Sequence, residues 1–174
     1  GLPAIFAPVH LLFINLLTDS LPAIAIGMEP SHGDVLDEKP REANAPLLDK
    51  KLSGRILMEG ILIATVTMIA FYLGYTKENI GLGSTMAFST LCLGRLFHGF
   101  NCRGNGSVIR LGITSNMFSI YAFLMGAILL YIVLLIPSFH EMFAISDLSI
   151  MNFGEITVLA FIPTLIIQVS KYIK

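Results

Sequence analysis

The sequence predicts an all-α membrane protein, a five-span transmembrane helix bundle. Three observations predict it. The chain is 55% hydrophobic and 13% charged, where soluble domains carry about 25% charged residues, and its mean hydropathy is +0.77. Five apolar stretches each approach the roughly 20 residues that a helix needs to cross a bilayer. The Lys and Arg residues gather in alternate joints between those stretches, the pattern that sets orientation in a membrane. In 174 residues, five spans leave no room for a sizeable soluble domain. A net charge of −1 gives no basic footprint for nucleic acid.

The spans run at about Val9–Met28, Ile56–Tyr75, Thr85–Cys102, Met117–Ile136 and Phe153–Tyr172. The first joint, about residues 29–55, is polar and opens on Glu29-Pro30. Gly81-Leu82-Gly83 reads as a flexible second joint, Gly104-Asn105-Gly106 as a turn, and Pro137-Ser138 as the end of the fourth span. Lys39, Arg41, Lys50, Lys51 and Arg55 lie in the first joint, Arg103 and Arg110 in the third, and Lys171 and Lys174 in the tail. Only Lys77 lies on the opposite side, and Arg95 falls inside a span. The bias predicts a cytoplasmic first joint, third joint and C-terminus, with the N-terminus outside. A chain that starts outside without a basic leader is expected to continue upstream as part of a longer protein. Cys92 and Cys102, ten residues apart on one apolar stretch, are on the order of 15 Å apart in a helix, too far for a disulfide.

The first span carries the chemistry. In His10-Leu-Leu-Phe-Ile-Asn15-Leu-Leu-Thr18-Asp19-Ser20-Leu-Pro22-Ala23, the residues Asn15, Thr18 and Asp19 stand at i, i+3 and i+4, one face of a regular helix. A carboxylate at membrane depth costs about 2.5–3.5 kcal/mol on insertion scales and points to function. Pro22 offers no N–H to the Thr18 carbonyl and crowds that turn, so the backbone there is expected to loosen. Irregular backbone in a membrane belongs where protein or a wet cavity receives it. Oxygen ligands suit hard cations. Calcium takes six to eight oxygens, so three side chains are an incomplete shell. No other span carries a carboxylate at mid-depth: Glu59 and Glu155 lie near span ends. The remaining ligands are expected from helices outside this chain. The bland alternative is a polar cluster that hydrogen-bonds a neighbouring helix.

Arg95 is read in two ways. It either snorkels to the interface or projects into the bundle and pairs with Asp19, occupying space and charge that a second ion would need. The loop residues Asp34, Asp37 and Arg41 are read as a solvated loop or a docking surface for a cytoplasmic domain. His10, His32, His98 and His140 show no ligand spacing and are taken as structural or solvated. Ala23 and Gly27 form a small-xxx-small pair open to a neighbouring helix. No phosphate-binding Gly-rich loop and no acyl-transfer triad can be assembled.

Gly1-Leu2-Pro3, Pro8-Val9-His10 through Asn15-Leu-Leu-Thr18-Asp19-Ser20-Leu-Pro22-Ala23, Glu29-Pro30, Asp34-Val-Leu-Asp37, Lys39-Pro40-Arg41 and Thr85-Met-Ala-Phe-Ser89 together resemble calcium-transporting P-type ATPases, the sarco/endoplasmic-reticulum-type pumps and their bacterial relatives. The resemblance covers essentially the whole chain. It implies helices six to ten of a ten-helix transport domain. It places Asn15, Thr18 and Asp19 at cation ligands of helix six, with Asp19 the central shared carboxylate and other ligands supplied by helices four and five. The Asp-Lys-Thr-Gly-Thr phosphorylation motif does not occur here. The resemblance therefore implies that ATP and magnesium belong to the parent chain, and that this segment alone is inactive. At the position of Arg95 the two-site pumps carry a glutamate ligand. The departure implies one calcium ion per cycle, with proton counter-transport, and makes Thr18 a weaker ligand than Asn15 and Asp19. The implied partners are the lipid bilayer and the upstream helices and cytoplasmic domains of the same pump. The lean loops and short tail point to a bacterial plasma membrane. Two other classes compete: a non-catalytic scaffold or partner-binding bundle, and a proton- or sodium-coupled secondary transporter with Asp19 as proton carrier.

Overall fold

A computed structural model describes residues 4–30, 48–104 and 106–173. The proposed docking residues Asp34, Asp37 and Arg41 lie outside the described residues. Five helices are long and apolar enough to cross a membrane: α1 (Pro8–Gly27), α2 (Lys50–Lys77), α3 (Ile80–Asn101), α4 (Met117–Leu135) and α5 (Ile150–Ile173).

Their starts follow from capping side chains. Asp49 accepts from the Leu52 amide at 2.6 Å, Asn79 from Leu82 at 3.0 Å, Asn116 from Ser119 at 3.2 Å and Ser149 from Asn152 at 3.2 Å. Each supplies an acceptor to a first-turn N–H that has no partner within the helix. The Asp49 cap is why α2 begins at Lys50, ahead of its apolar stretch. At the other end of the bundle, α4 stops at Leu135, and Pro137 opens a single 3₁₀ turn over Pro137–Phe139. A short helix at His140–Phe143 follows and ends on Ala144, whose φ is +50°.

One joint differs from its sequence expectation. Gly81-Leu82-Gly83 is not a flexible hinge but the first turn of α3. Its composition serves packing instead. A Cβ built on Gly74 would stand 2.8 Å from the Gly83 Cα, so α2 and α3 touch backbone to backbone. Small residues at such crossings let membrane helices approach.

The core sits around α3. Within its membrane window 67% is buried, against 33% or less in each of the other four helices. Met86, Ala87, Phe88 and Cys92 are fully buried on it. Leu96 fills the space above Gly126 of α4, where an added Cβ would lie 2.5 Å from the Leu96 side chain. Gly94 meets Ala160 of α5, and Gly99 meets Pro22 of α1. The outer helices keep long apolar faces exposed, for example Ile128 and Leu135 on α4 and Val158 and Ile166 on α5. Cys92 and Cys102 are free thiols.

Candidate functional site

The middle of α1 is not an α-helix. Pro8–Phe13 and Ser20–Gly27 are α-helical, and Ile14–Asp19 between them is π-helical. The loosening expected ahead of Pro22 thus takes a defined form. A π turn bonds i to i+5 and is concentrated at functional positions in other proteins. It also converts Pro22 into a first-turn residue of the second α segment, where a missing N–H costs least. Two hydroxyls serve the altered ladder: Thr18 Oγ1 donates to the Ile14 carbonyl at 2.7 Å, and Ser20 Oγ donates to the Asn15 carbonyl at 3.4 Å.

The π winding divides the face that regular helical spacing drew. More residues per turn leave three residues well short of a revolution, while four remain close to one. Asn15 and Asp19 therefore stay stacked and Thr18 swings aside. Thr18 is buried, Asp19 is partly open and Asn15 is exposed.

Asp19 and Arg95 meet across α1 and α3. Arg95 Nη2 lies 2.7 Å from Asp19 Oδ1, with the two side chains 37% and 33% exposed. Arg95 reaches across to α1 and pairs with Asp19, the contact that the second of its two readings expects. It also lines an open groove of about 780 Å³ between α2 and α3, together with Glu59, Ile63, Thr67, Met68 and His98. A cation reaching Asp19 must compete with, or share an oxygen with, this guanidinium. Among the described residues no group of three or more His, Cys, Asp and Glu side chains is placed to hold a metal ion.

Two polar clusters escaped the sequence reading. At the Gly27 end of α1, the fully buried Arg103 side chain binds both Glu29 oxygens at 2.9 Å, Ser115 Oγ at 2.6 Å, and the Gly112 and Ile113 carbonyls. Asn116 donates to Glu29 at 2.6 Å and to the Ala25 carbonyl at 2.9 Å. This lock ties α1 to the α3–α4 connection and to the start of α4. The second cluster surrounds the buried Glu59, which pairs with Arg55 at 2.7 Å and lies 3.4 Å from His98 Nε2. Arg55 and Lys171 both donate to the Asn101 carbonyl at the end of α3. Only the Arg55–Glu59 spacing of four residues was visible in advance; the other partners are far apart in the chain.

These features define a membrane helix bundle with an intramembrane carboxylate–guanidinium pair on a π turn. Comparison with known proteins agrees with that class. Residues 3–173 match the model of the family described as "Cation transporting ATPase, C-terminus", and the chain belongs to that family. It is 36% identical over 145 residues to a calcium-transporting ATPase of Bacillus subtilis, covering 82% of this chain and 16% of that protein. It is 38% identical over 141 residues to calcium-transporting ATPase 1 of Lactococcus lactis, covering 80% and 16%. With calcium-transporting ATPase type 2C member 1 of Mus musculus it shares 29% over 147 residues, covering 83% and 16%. The chain thus spans about a sixth of the length of these relatives.

Proposed function

We propose that this chain is the C-terminal part of the transport domain of an ATP-driven calcium pump, and that Asn15 and Asp19 are two of its calcium ligands. The π turn that stacks Asn15 on Asp19 carries this reading. A widened turn next to Pro22 keeps an amide and a carboxylate side chain near one face of the helix at membrane depth, a donor set for a hard cation. Thr18 contributes less, because its hydroxyl is buried and engaged with the Ile14 carbonyl. The rest of the calcium shell comes from upstream helices of the same pump. The names of the bacterial relatives support calcium as the ion, and the lean loops and short tail support a bacterial plasma membrane as the location. Phosphorylation by ATP with magnesium takes place in other domains, and this segment alone does not hydrolyse ATP. The basic joints support a cytoplasmic position for residues 29–55 and the α3–α4 connection, where Asp34, Asp37 and Arg41 would meet those domains.

Arg95 sets the stoichiometry in this reading. Its guanidinium stands 2.7 Å from Asp19, supplies fixed positive charge and cannot ligate a cation. One calcium ion is then carried per cycle, with protons as the counter-ion. The test is calcium-dependent ATPase activity of the intact pump in liposomes. Asp19→Asn should abolish it, and normal turnover in that variant rejects the site. Arg95→Glu should change the calcium stoichiometry and the pH dependence of transport; if both stay as in the wild type, Arg95 has no such role.

A further inference from the structure

From the geometry at the Pro8 end of α1, we propose that His10 is a positioning residue for the cation ligands, holding the π turn in register through the connection between α4 and α5. The inference rests on the reading of Asn15 and Asp19 as ligands. His10 is fully buried, and both ring nitrogens are engaged. The Ala7 amide donates to Nδ1 at 3.3 Å, and Nε2 lies 2.6 Å from the Phe143 carbonyl. An acceptor Nδ1 and a donor Nε2–H define one neutral tautomer. The ring stacks on Phe88 of α3 with centroids 4.3 Å apart and planes at 17°.

The same two aromatic residues grip the helix again three residues on. Phe13 packs edge to face on Phe88 at 5.5 Å and on Phe143 at 5.8 Å. Both grips sit directly ahead of the π turn, which begins at Ile14. The Ile14 amide, first of the π residues, bonds back to the His10 and Leu11 carbonyls. Azimuth and height of the helix are thus fixed over the last α turn before its winding changes. A rotation of α1 released at His10 carries Asn15 and Asp19 away from their stacked arrangement. Phe143 is held for this task by the left-handed Ala144 that follows it, and the Ile145 amide returns to the His140 carbonyl at 2.9 Å.

The experiment uses the intact pump in lipid nanodiscs with His10→Ala, His10→Gln and His10→Asn. Glutamine can offer an amide N–H to Phe143 and an oxygen to Ala7; asparagine is too short to reach Phe143 and replaces alanine if that variant does not accumulate. His10→Ala is expected to raise the calcium concentration for half-maximal ATPase activity about tenfold, more than it lowers kcat, because only a fraction of molecules keep the competent register. His10→Gln should restore it to within about twofold. Hydrogen exchange of the 140–146 backbone without calcium should quicken in His10→Ala and return in His10→Gln. The proposal is overturned if Ala and Gln behave alike, or if exchange quickens while half-saturation stays unchanged. A wild-type pump without calcium dependence would instead defeat the functional reading, and unchanged exchange in His10→Ala would then still overturn the latch.

Discussion

Two helices of this bundle carry a proline in mid-span, and they respond differently. In α1 the turn before Pro22 becomes π-helical. In α5 the helix runs unbroken from Ile150 to Ile173 with Pro163 inside it. Both prolines remove an N–H and crowd the preceding turn, so proline alone does not set the outcome. The preceding residues differ. Ahead of Pro163 stand Val158, Leu159, Ala160, Phe161 and Ile162, none with a polar side chain. The same five positions ahead of Pro22 hold Thr18, Asp19 and Ser20, and the Thr18 and Ser20 hydroxyls donate to carbonyls of the altered turn. The surroundings differ too: Pro163 is fully buried, whereas Asp19 holds an ion pair to the central helix. Proline frees backbone, and neighbouring polar groups decide whether that freedom becomes a π turn.

Matched substitutions on the two helices test this contrast. The largest effect is expected at the carboxylates. Losing a group that merely orients a ligand costs roughly 10–100-fold in metal affinity, so Asp19→Asn, which removes a ligand in the proposed reading, should exceed about 100-fold and leave no measurable calcium-dependent turnover. Glu155→Gln on α5, which breaks an exposed pair with Lys77, should leave it unchanged in the same ATPase assay. Next come the ends. Arg103→Ala removes a fully buried guanidinium and its bonds to Glu29, Ser115 and the Gly112 and Ile113 carbonyls and should destabilise the protein by about 1–3 kcal/mol, read as thermal unfolding in detergent. Arg110→Ala, which removes an exposed contact to the Tyr172 carbonyl and ring near the end of α5, should cost less than about 1 kcal/mol.

The prolines themselves follow. Pro22→Ala returns an N–H to the Thr18 carbonyl and should favour regular winding, weakening calcium half-saturation by about tenfold, or about 1.4 kcal/mol. Pro163→Ala should leave half-saturation untouched. Equal effects from both would break the contrast. The smallest difference is expected at the threonines that bond back to their own helix. Thr18→Val should cost about 1 kcal/mol of stability and shift half-saturation by no more than about threefold. Thr157→Val, whose hydroxyl donates to Phe153 on the exposed side of α5, should do neither.

The fold was legible because its cause is local. Apolar runs of spanning length appear in any window of the sequence, and the five observed helices fall on the five runs. Boundaries were less legible where polar residues continue a helix, as at Lys50, or where glycines serve close packing, as at Gly74 and Gly83. The site was legible in part. An aspartate beside a proline in an apolar span announces itself, and so does an arginine two helices away. The division of the Asn15–Thr18–Asp19 face was not, because i, i+3, i+4 spacing assumes 3.6 residues per turn and the π turn breaks that assumption. Contacts between residues distant in the chain, such as Glu29 with Arg103 or His10 with Phe143, leave no periodic trace. His10 reads as a plain structural residue until its two ring partners are seen.

The enclosure of α3 by its four neighbours has a consequence for how the bundle meets bilayers of different thickness. Helices in contact with lipid adjust to hydrophobic mismatch by tilting or by moving their flanking residues. Those adjustments fall on whichever outer helices meet lipid, since the spans of α1, α2, α4 and α5 are mostly uncovered within the chain. A helix with two thirds of its window buried is insulated from that pressure. Arg95 therefore rides on the element least responsive to lipid, and its charge keeps a constant depth while the outer helices accommodate the membrane around it.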